Sequence, residues 1–333
     1  MSPWYFLVAA LAVLAALLLF GFVGCVGDDP TLVSTENQPD GNPDPTATAE
    51  KKGTLVGFWQ LQEPAGTPIG GTAADAKGLH DGTYKTQQVT EDDTLHSPGS
   101  ASPPTLNLGV PPGLLDYIPN TSMEVNGGYV EVPFSPTLNS AAFSVVALAQ
   151  PEWDRTKLGY YYCLLESSAP VPAVGQGKRL GFAIYAGPTT PDPGQPYQWQ
   201  VWLGDGASFQ RVPATKPSAS TVEFNRTLLA VTYDGTKLKF YVYYPGSDAD
   251  PTSKSSDLDN VTVIDTKVAF MPNLNDESLF IGMGRSLFPL GAGPPQDLLY
   301  PFNGKIQNVA VYQNALQDSD VASLVLADFK ITS

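Results

Sequence analysis

The chain has 333 residues, 42% of them hydrophobic and 11% aromatic, with 31 glycines and 31 prolines, which suits a real core broken often by turns. Eighteen Lys and Arg against 33 Asp and Glu leave a net charge of −15, and no basic cluster interrupts that field, which excludes a nucleic-acid partner. Length permits two domains, but all-β sandwiches often run past about 200 residues as one domain, and no internal repeat argues for a second.

At the amino terminus, Trp4 to Val26 carries no charge, and Leu11 to Phe20 is apolar on every side of a helix. The run exceeds the usual signal-peptide core of about 7–15 residues and just reaches the roughly 20 needed to span a bilayer. Its end, Phe22-Val23-Gly24-Cys25, resembles a bacterial lipobox, which implies lipidation at Cys25. Phe22 stands where that pattern usually has Leu, and no Lys or Arg precedes the run, so an uncleaved helical anchor and a cleaved, released form stay open beside it. All three export the domain, and the two anchored forms hold it at the cell envelope, facing outside the cytoplasm. Residues 1–25 form this signal or anchor. Residues 26–52, rich in Asp, Pro, Thr and Asn, bury too little to fold and read as a tether, leaving 53–333 as the domain.

The domain reads as strands. Short apolar or alternating runs recur between turn residues: Leu55–Leu61, Tyr129–Val132, Phe143–Ala149, Tyr160–Leu165, Leu180–Ala186 and Tyr197–Leu203. Leu228–Tyr233, Leu238–Tyr243, Val261–Val268, Leu279–Met283 and Ile306–Tyr312 follow. Such runs, rich in Val, Phe and Tyr, predict two packed antiparallel sheets. Asp234-Gly235 supplies positive backbone φ at a hairpin turn, with Leu238, Phe240 and Val242 facing a core and Lys237, Lys239 and Tyr241 facing out. One helix is expected near Asp318–Ala327, capped by Asp318 or Ser319, with Val321, Leu324 and Val325 on one stripe. Trp59 is placed in the core because it shares the phase of Leu55, Gly57 and Leu61. The Pro-rich stretches between, notably Glu91–Pro119, Ser167–Gly177 and Ser286–Pro301, read as loops.

If Cys25 is lipidated, Cys163 is the only thiol left, inside a strand-like run where it reads as a small buried hydrophobe. Hydrolytic chemistry finds no support. Glu91-Asp92-Asp93 is adjacent rather than alternating on a strand, there is no Gly-x-Ser-x-Gly or His-Glu-x-x-His, and His80 and His96 are the only histidines. A non-enzyme is expected.

Six segments, in order, resemble the laminin-G-like jelly-roll family of the concanavalin A-like superfamily. They are Phe58-Trp59-Gln-Leu61, Asp75-Ala-Lys-Gly78-Leu-His-Asp-Gly82-Thr-Tyr84, Gly128-Tyr-Val-Glu-Val-Pro133 with Phe143 onward, the Asp234-Gly235 hairpin, Leu279-Phe-Ile-Gly282 and Phe302-Asn-Gly304-Lys-Ile306 onward. Leu148 replaces the usual Trp, and Gln307 replaces a common Asp. The resemblance implies an all-β, two-sheet antiparallel jelly-roll sandwich with one short carboxy-terminal helix. It also implies carbohydrate binding, with Tyr197, Trp199 and Trp202 as candidate platforms. Trp202 shares a strand face with Gln198 and Gln200, opposite Trp199, and is the better candidate for an exposed ring. Relatives bring together the segments that hold Asp75, Asp81 and Asn303, which makes these three candidate Ca²⁺ ligands. The competing class is a structural or adhesive envelope protein that contacts extracellular or envelope proteins and binds no sugar.

Overall fold

The computed structural model describes residues 54–61, 63, 69–86, 105–108, 121–126, 128–151, 161–170, 179–188, 197–214, 227–243, 261–274, 276–285 and 298–328. The apolar amino terminus, Cys25 and the tether lie outside these residues, within which no helix is long and apolar enough to cross a membrane.

In chain order the strands are β1 (Leu55–Trp59), β2 (Thr72–Ala73), β3 (Gly82–Thr86), β4 (Thr105–Leu108), β5 (Thr121–Asn126), β6 (Gly128–Val132), β7 (Phe143–Pro151), β8 (Tyr162–Glu166), β9 (Ala169–Pro170) and β10 (Arg179–Leu180). They continue as β11 (Phe182–Pro188), β12 (Tyr197–Gly204), β13 (Phe209–Pro213), β14 (Thr227–Tyr233), β15 (Lys237–Tyr243), β16 (Val261–Lys267), β17 (Leu279–Ile281), β18 (Met283–Arg285), β19 (Leu298–Pro301) and β20 (Asn303–Tyr312), followed by helix α1 (Asp318–Asp328). One antiparallel sheet runs β16-β15-β14-β7-β20-β5-β4, with β1 also on β20; the other runs β13-β12-β11-β8-β17-β6-β3-β2. The chain is therefore the all-β sandwich that the alternating runs predicted. Strands also occur inside stretches read as loops: β4 within Glu91–Pro119, β9 within Ser167–Gly177 and β19 within Ser286–Pro301.

The main core lies between the sheets. Alternate residues such as Val145, Val231, Phe240 and Ile306 from the first sheet meet Val130, Leu164, Ile184 and Val201 from the second. Phe143 and Phe182 stack across the gap at 4.6 Å. A second core lies on the outer side of the first sheet, where Val321 and Leu324 of α1 cover Phe58, Leu148, Leu228, Tyr241 and Tyr312.

Four local expectations need correction. Trp59 is fully buried as expected, but the phase argument for it fails at Leu55. A register shift between Leu55 and Gly57 turns Leu55 toward the α1 side with Phe58, while Val56 joins Trp59 inside. Gly57 is required here, because a Cβ on it would fall 2.6 Å from Cη2 of the Trp59 indole. In the β14–β15 hairpin only Gly235 takes positive φ, at 100°. Asp234 acts instead through its carboxylate, which accepts the Thr236 and Lys237 N–H groups at 2.8 and 2.7 Å. Tyr241, expected to face solvent, is covered by α1, and its hydroxyl donates to Asp318 Oδ1 at 2.7 Å. That hydrogen bond and the Lys239 ion pair at 2.6 Å hold the Asp318 carboxyl below the usual carboxylate range. Asp318 thus ties the helix to β15 rather than capping it. The capping role falls to Asp320, whose carboxylate reaches back to the Gln317 N–H at 3.2 Å while the Gln317 carbonyl accepts from Val321.

Candidate functional site

The outer side of the second sheet brings aromatic and polar side chains together. Strand alternation places Trp199, Val201 and Leu203 of β12 in the inner core and leaves Gln198, Gln200 and Trp202 on the outer face. Cross-strand pairing sets Arg211 of β13 directly opposite Trp202, with Phe209 two positions along and on the same face, opposite Gly204. On the other flank Trp202 pairs with Ala183, whose small side chain leaves room for the indole. Tyr161, just before β8, lies over Gly187: a Cβ there would fall 2.2 Å from its ring.

Trp202, Phe209 and Tyr161 are all half-buried. Trp202 meets Tyr161, Tyr185 and Phe209 in edge-to-face contacts with centroids 5.7, 5.6 and 5.7 Å apart. Its Nε1 donates to Gln200 Oε1 at 3.1 Å, and the Gln200 amide is itself fixed by the Gly187 and Pro188 carbonyls. The indole is thereby held in one orientation. Arg211 Nη1 reaches the Tyr161 hydroxyl at 3.5 Å. Burial pushes the Tyr161 phenol up, and the Arg211 charge opposes that shift. The result is a row of rings, edged with amides and a guanidinium, with part of each ring open to solvent.

Beside this row, β18 and β19 form a ribbon over the middle of the same face. Under it sits Glu166, fully buried. Its carboxylate accepts from Tyr185 Oη at 2.7 Å, the Arg285 N–H at 2.8 Å, the Ser168 hydroxyl and, weakly, the Cys163 thiol at 3.8 Å. The Arg285 guanidinium bonds the Ser168 carbonyl, pairs with Glu277 at 2.8 Å and lies 4.5 Å over the Phe280 ring. Gly284 is required because a Cβ on it would meet the Cys163 Cβ at 2.7 Å and the Glu166 and Tyr185 oxygens at 2.8 Å. Sequence reasoning missed this latch. Only the lone Glu ending an apolar run and the lone Arg after Gly282 hinted at buried partners.

Cys163 is buried, as the strand-like run suggested, but it lies on the outer face beside Glu166 rather than in the core between the sheets. Burial, reinforced by the Glu166 charge, pushes its thiol up. Native protein treated with a maleimide is expected to leave Cys163 unmodified, with complete labelling in guanidinium chloride, as read by mass of the Cys163 peptide. Rapid native labelling would mean that the ribbon opens.

The candidate Ca²⁺ ligands do not converge. Asp75 Oδ1 accepts the Phe58 and Lys77 N–H groups at 2.8 and 3.0 Å, and Oδ2 accepts those of Leu79 and His80 at 3.2 and 2.9 Å. Four donors use the lone pairs that a cation would need. Asp81 Oδ1 accepts the Asp75 N–H at 2.8 Å. Asn303 pairs through its backbone with Asn126 at the start of β20, whereas Asp75 bridges Trp59, which pairs with Val309. Six residues of strand separate the two places, about 20 Å at ~3.3 Å per residue. The set therefore does not fit Ca²⁺; the two aspartates build a loop, and their shared segment in the sequence reflects that loop. Among the described residues no group of three or more His, Cys, Asp or Glu is placed to hold a metal ion.

Of the candidate sugar-binding residues, Trp199 is corrected outright: it is fully buried and stacks on Phe302 at 6.4 Å inside the sandwich. Tyr197 pairs with Pro188 at the start of β12, and its side chain lies outside the described residues. Trp202 sits on the outer face. Its neighbours Tyr161, Phe209 and Arg211 come from segments that the sequence did not connect to it.

No family model matches the chain, and no curated protein matches it. Among solved structures it is similar to domain 4 of AbnA, an extracellular arabinanase from Geobacillus stearothermophilus, in complex with arabinotriose. The identity is 16% and the TM-score 0.46, covering 82% of this chain and 98% of that one. It is also similar to botulinum neurotoxin type C, whose cell entry is dependent upon interaction with two ganglioside molecules. There the identity is 12% and the TM-score 0.45, covering 81% of this chain and 50% of the other. A third is the CBM40 of the Ruminococcus gnavus IT-sialidase bound to α2,6-sialyllactose, with 13% identity, a TM-score of 0.37, and coverage of 57% and 85%. At these identities the likeness is one of fold.

Proposed function

We propose that this chain is a non-catalytic, laminin-G-like glycan-binding module, exported and held at the cell envelope by its amino terminus. The observation that carries the reading is the orientation-locked, half-open Trp202 in a row with Tyr161 and Phe209, bordered by Gln198 and Arg211. Sugars offer apolar faces and a rim of hydroxyls, and a fixed ring with amide and guanidinium neighbours matches both. The non-catalytic part is supported by Glu166, the buried carboxylate of this face, which is sealed under β18 and occupied by donors. Export and tethering rest on the uncharged run 4–26 and the polar segment 26–52. Glycan-array binding by the full chain in detergent tests the reading, with Trp202→Ala as the paired variant. Specific binding that falls at least tenfold in the variant is expected. A blank array from folded protein overturns the sugar reading in favour of a protein partner.

A further inference from the structure

The chain has five arginines, and the three among its described residues, Arg179, Arg211 and Arg285, all belong to the outer side of the second sheet. Two of these have protein acceptors: Arg285 bonds Glu277 and the Ser168 carbonyl, and Arg211 bonds the Tyr161 hydroxyl. Arg179 differs. It is 3% exposed, and its Nη1 is buried with no hydrogen-bond partner. None of the ion pairs among the described residues includes it. Its guanidinium carbon stands 5.9 Å from the centroid of Phe209, the ring next to Trp202, so the cation closes one end of the aromatic row. Asp205, in the turn whose Gly206 N–H bonds the Arg179 carbonyl, accepts instead from Ala207 and Ser208 of its own turn.

A guanidinium nitrogen kept from water without an acceptor, as Nη1 of Arg179 is, is costly, and the cost is relieved when an anion supplies one. A weak cation–π contact with Phe209 offsets only part of it. The position is fixed from the backbone: Gly206 donates to the Arg179 carbonyl at 2.9 Å, and β10 pairs Arg179 with Pro170. In a chain with a net charge of −15 this is a local inversion of sign, placed where a ligand stacked on Trp202 and Phe209 would end. We infer that the site takes an anionic saccharide, whose acidic group pairs with Arg179 while its ring lies along Phe209 and Trp202. This inference rests on the glycan-binding reading above and names the ligand class of the same face.

The test is isothermal titration of the full chain in detergent with trigalacturonic acid, with a neutral galactose trisaccharide and with galactose 6-sulfate. Arg179→Met, Arg179→Lys and Trp202→Ala are run in parallel after circular dichroism confirms that each folds. The expected result is binding of at least one anionic probe at least tenfold tighter than the neutral one. That preference should vanish in Arg179→Met and shrink in Arg179→Lys, which keeps the charge and loses the fork. Whether the carboxylate or the sulfate binds more tightly identifies the acidic group. A second readout needs no ligand: Arg179→Met is expected to raise the melting temperature of the free protein, since an apolar side chain replaces a buried cation whose Nη1 has no hydrogen-bond partner. Neutral and anionic probes binding alike, with dependence on Trp202 and none on Arg179, would overturn the inference and leave the glycan reading standing. No binding of any probe to folded wild-type protein overturns both.

Discussion

Asp75→Ala is expected to lower stability by about 3–4 kcal/mol, because one side chain accepts four backbone N–H groups in a nearly buried place. The donors at Phe58, Lys77, Leu79 and His80 come from both β1 and the loop before β3, so the carboxylate joins the two sheets at this edge. The loop is also held by Trp59 Nε1, which donates to the His80 carbonyl at 2.8 Å. In a domain of this size the loss corresponds to a fall in Tm of about 6–12 °C. Asp75→Asn keeps one oxygen and turns an NH₂ toward two donors, so it is expected to recover only part of the loss. Scanning calorimetry with and without chelator separates this account from a metal site. The same loss under both conditions supports the loop keystone, and a loss that chelator alone reproduces in the wild type would restore the Ca²⁺ reading.

Glu166→Ala carries the other large effect, about 3–5 kcal/mol. It strands the Tyr185 hydroxyl, the Ser168 hydroxyl and the Arg285 N–H where all three residues are buried. The buried phenol cannot relieve this by ionising, because burial, the larger cause of its upward shift, persists when the Glu166 charge is removed. Since three of the four partners lie on β8, β11 and β18, the variant is expected to loosen the ribbon as well as lower Tm. Maleimide labelling of Cys163 then rises in the native state, and hydrogen exchange at Arg285 speeds up. Wild-type stability in Glu166→Ala would show that the carboxylate is not the latch.

Reading of the fold succeeded where a strand buries one face and turns sharply at its end. Leu238, Phe240 and Val242 alternate with Lys237, Lys239 and Tyr241, and Asp234-Gly235 marks the turn, so the β14–β15 pairing and the inner face of β15 were legible. It failed where pairing rather than hydrophobicity makes the strand. Thr105–Leu108 and Ala169–Pro170 are short and flanked by prolines, and only their partners β5 and β10 make them strands. The α1 side of the first sheet was legible in part. The apolar stripe of the helix could be seen, but not which strands it would cover, so Tyr241 was assigned to solvent.

For the site, alternation along β12 separated Trp202 from Trp199, because a strand has only two faces. The Gln residues beside Trp202 also pointed to the outer face, and what the sequence left open was which segments would neighbour the indole there. By itself the sequence determined the strand-rich class, the one hairpin, the carboxy-terminal helix and the two-faced β12. Tertiary structure alone decided that Asp75 serves a loop and that Glu166 and Arg285, 119 positions apart, share one buried latch. It also decided that Arg179 ends beside Phe209. These are contacts between distant strands, whose partners are set by sheet order and register, and no local periodicity encodes either.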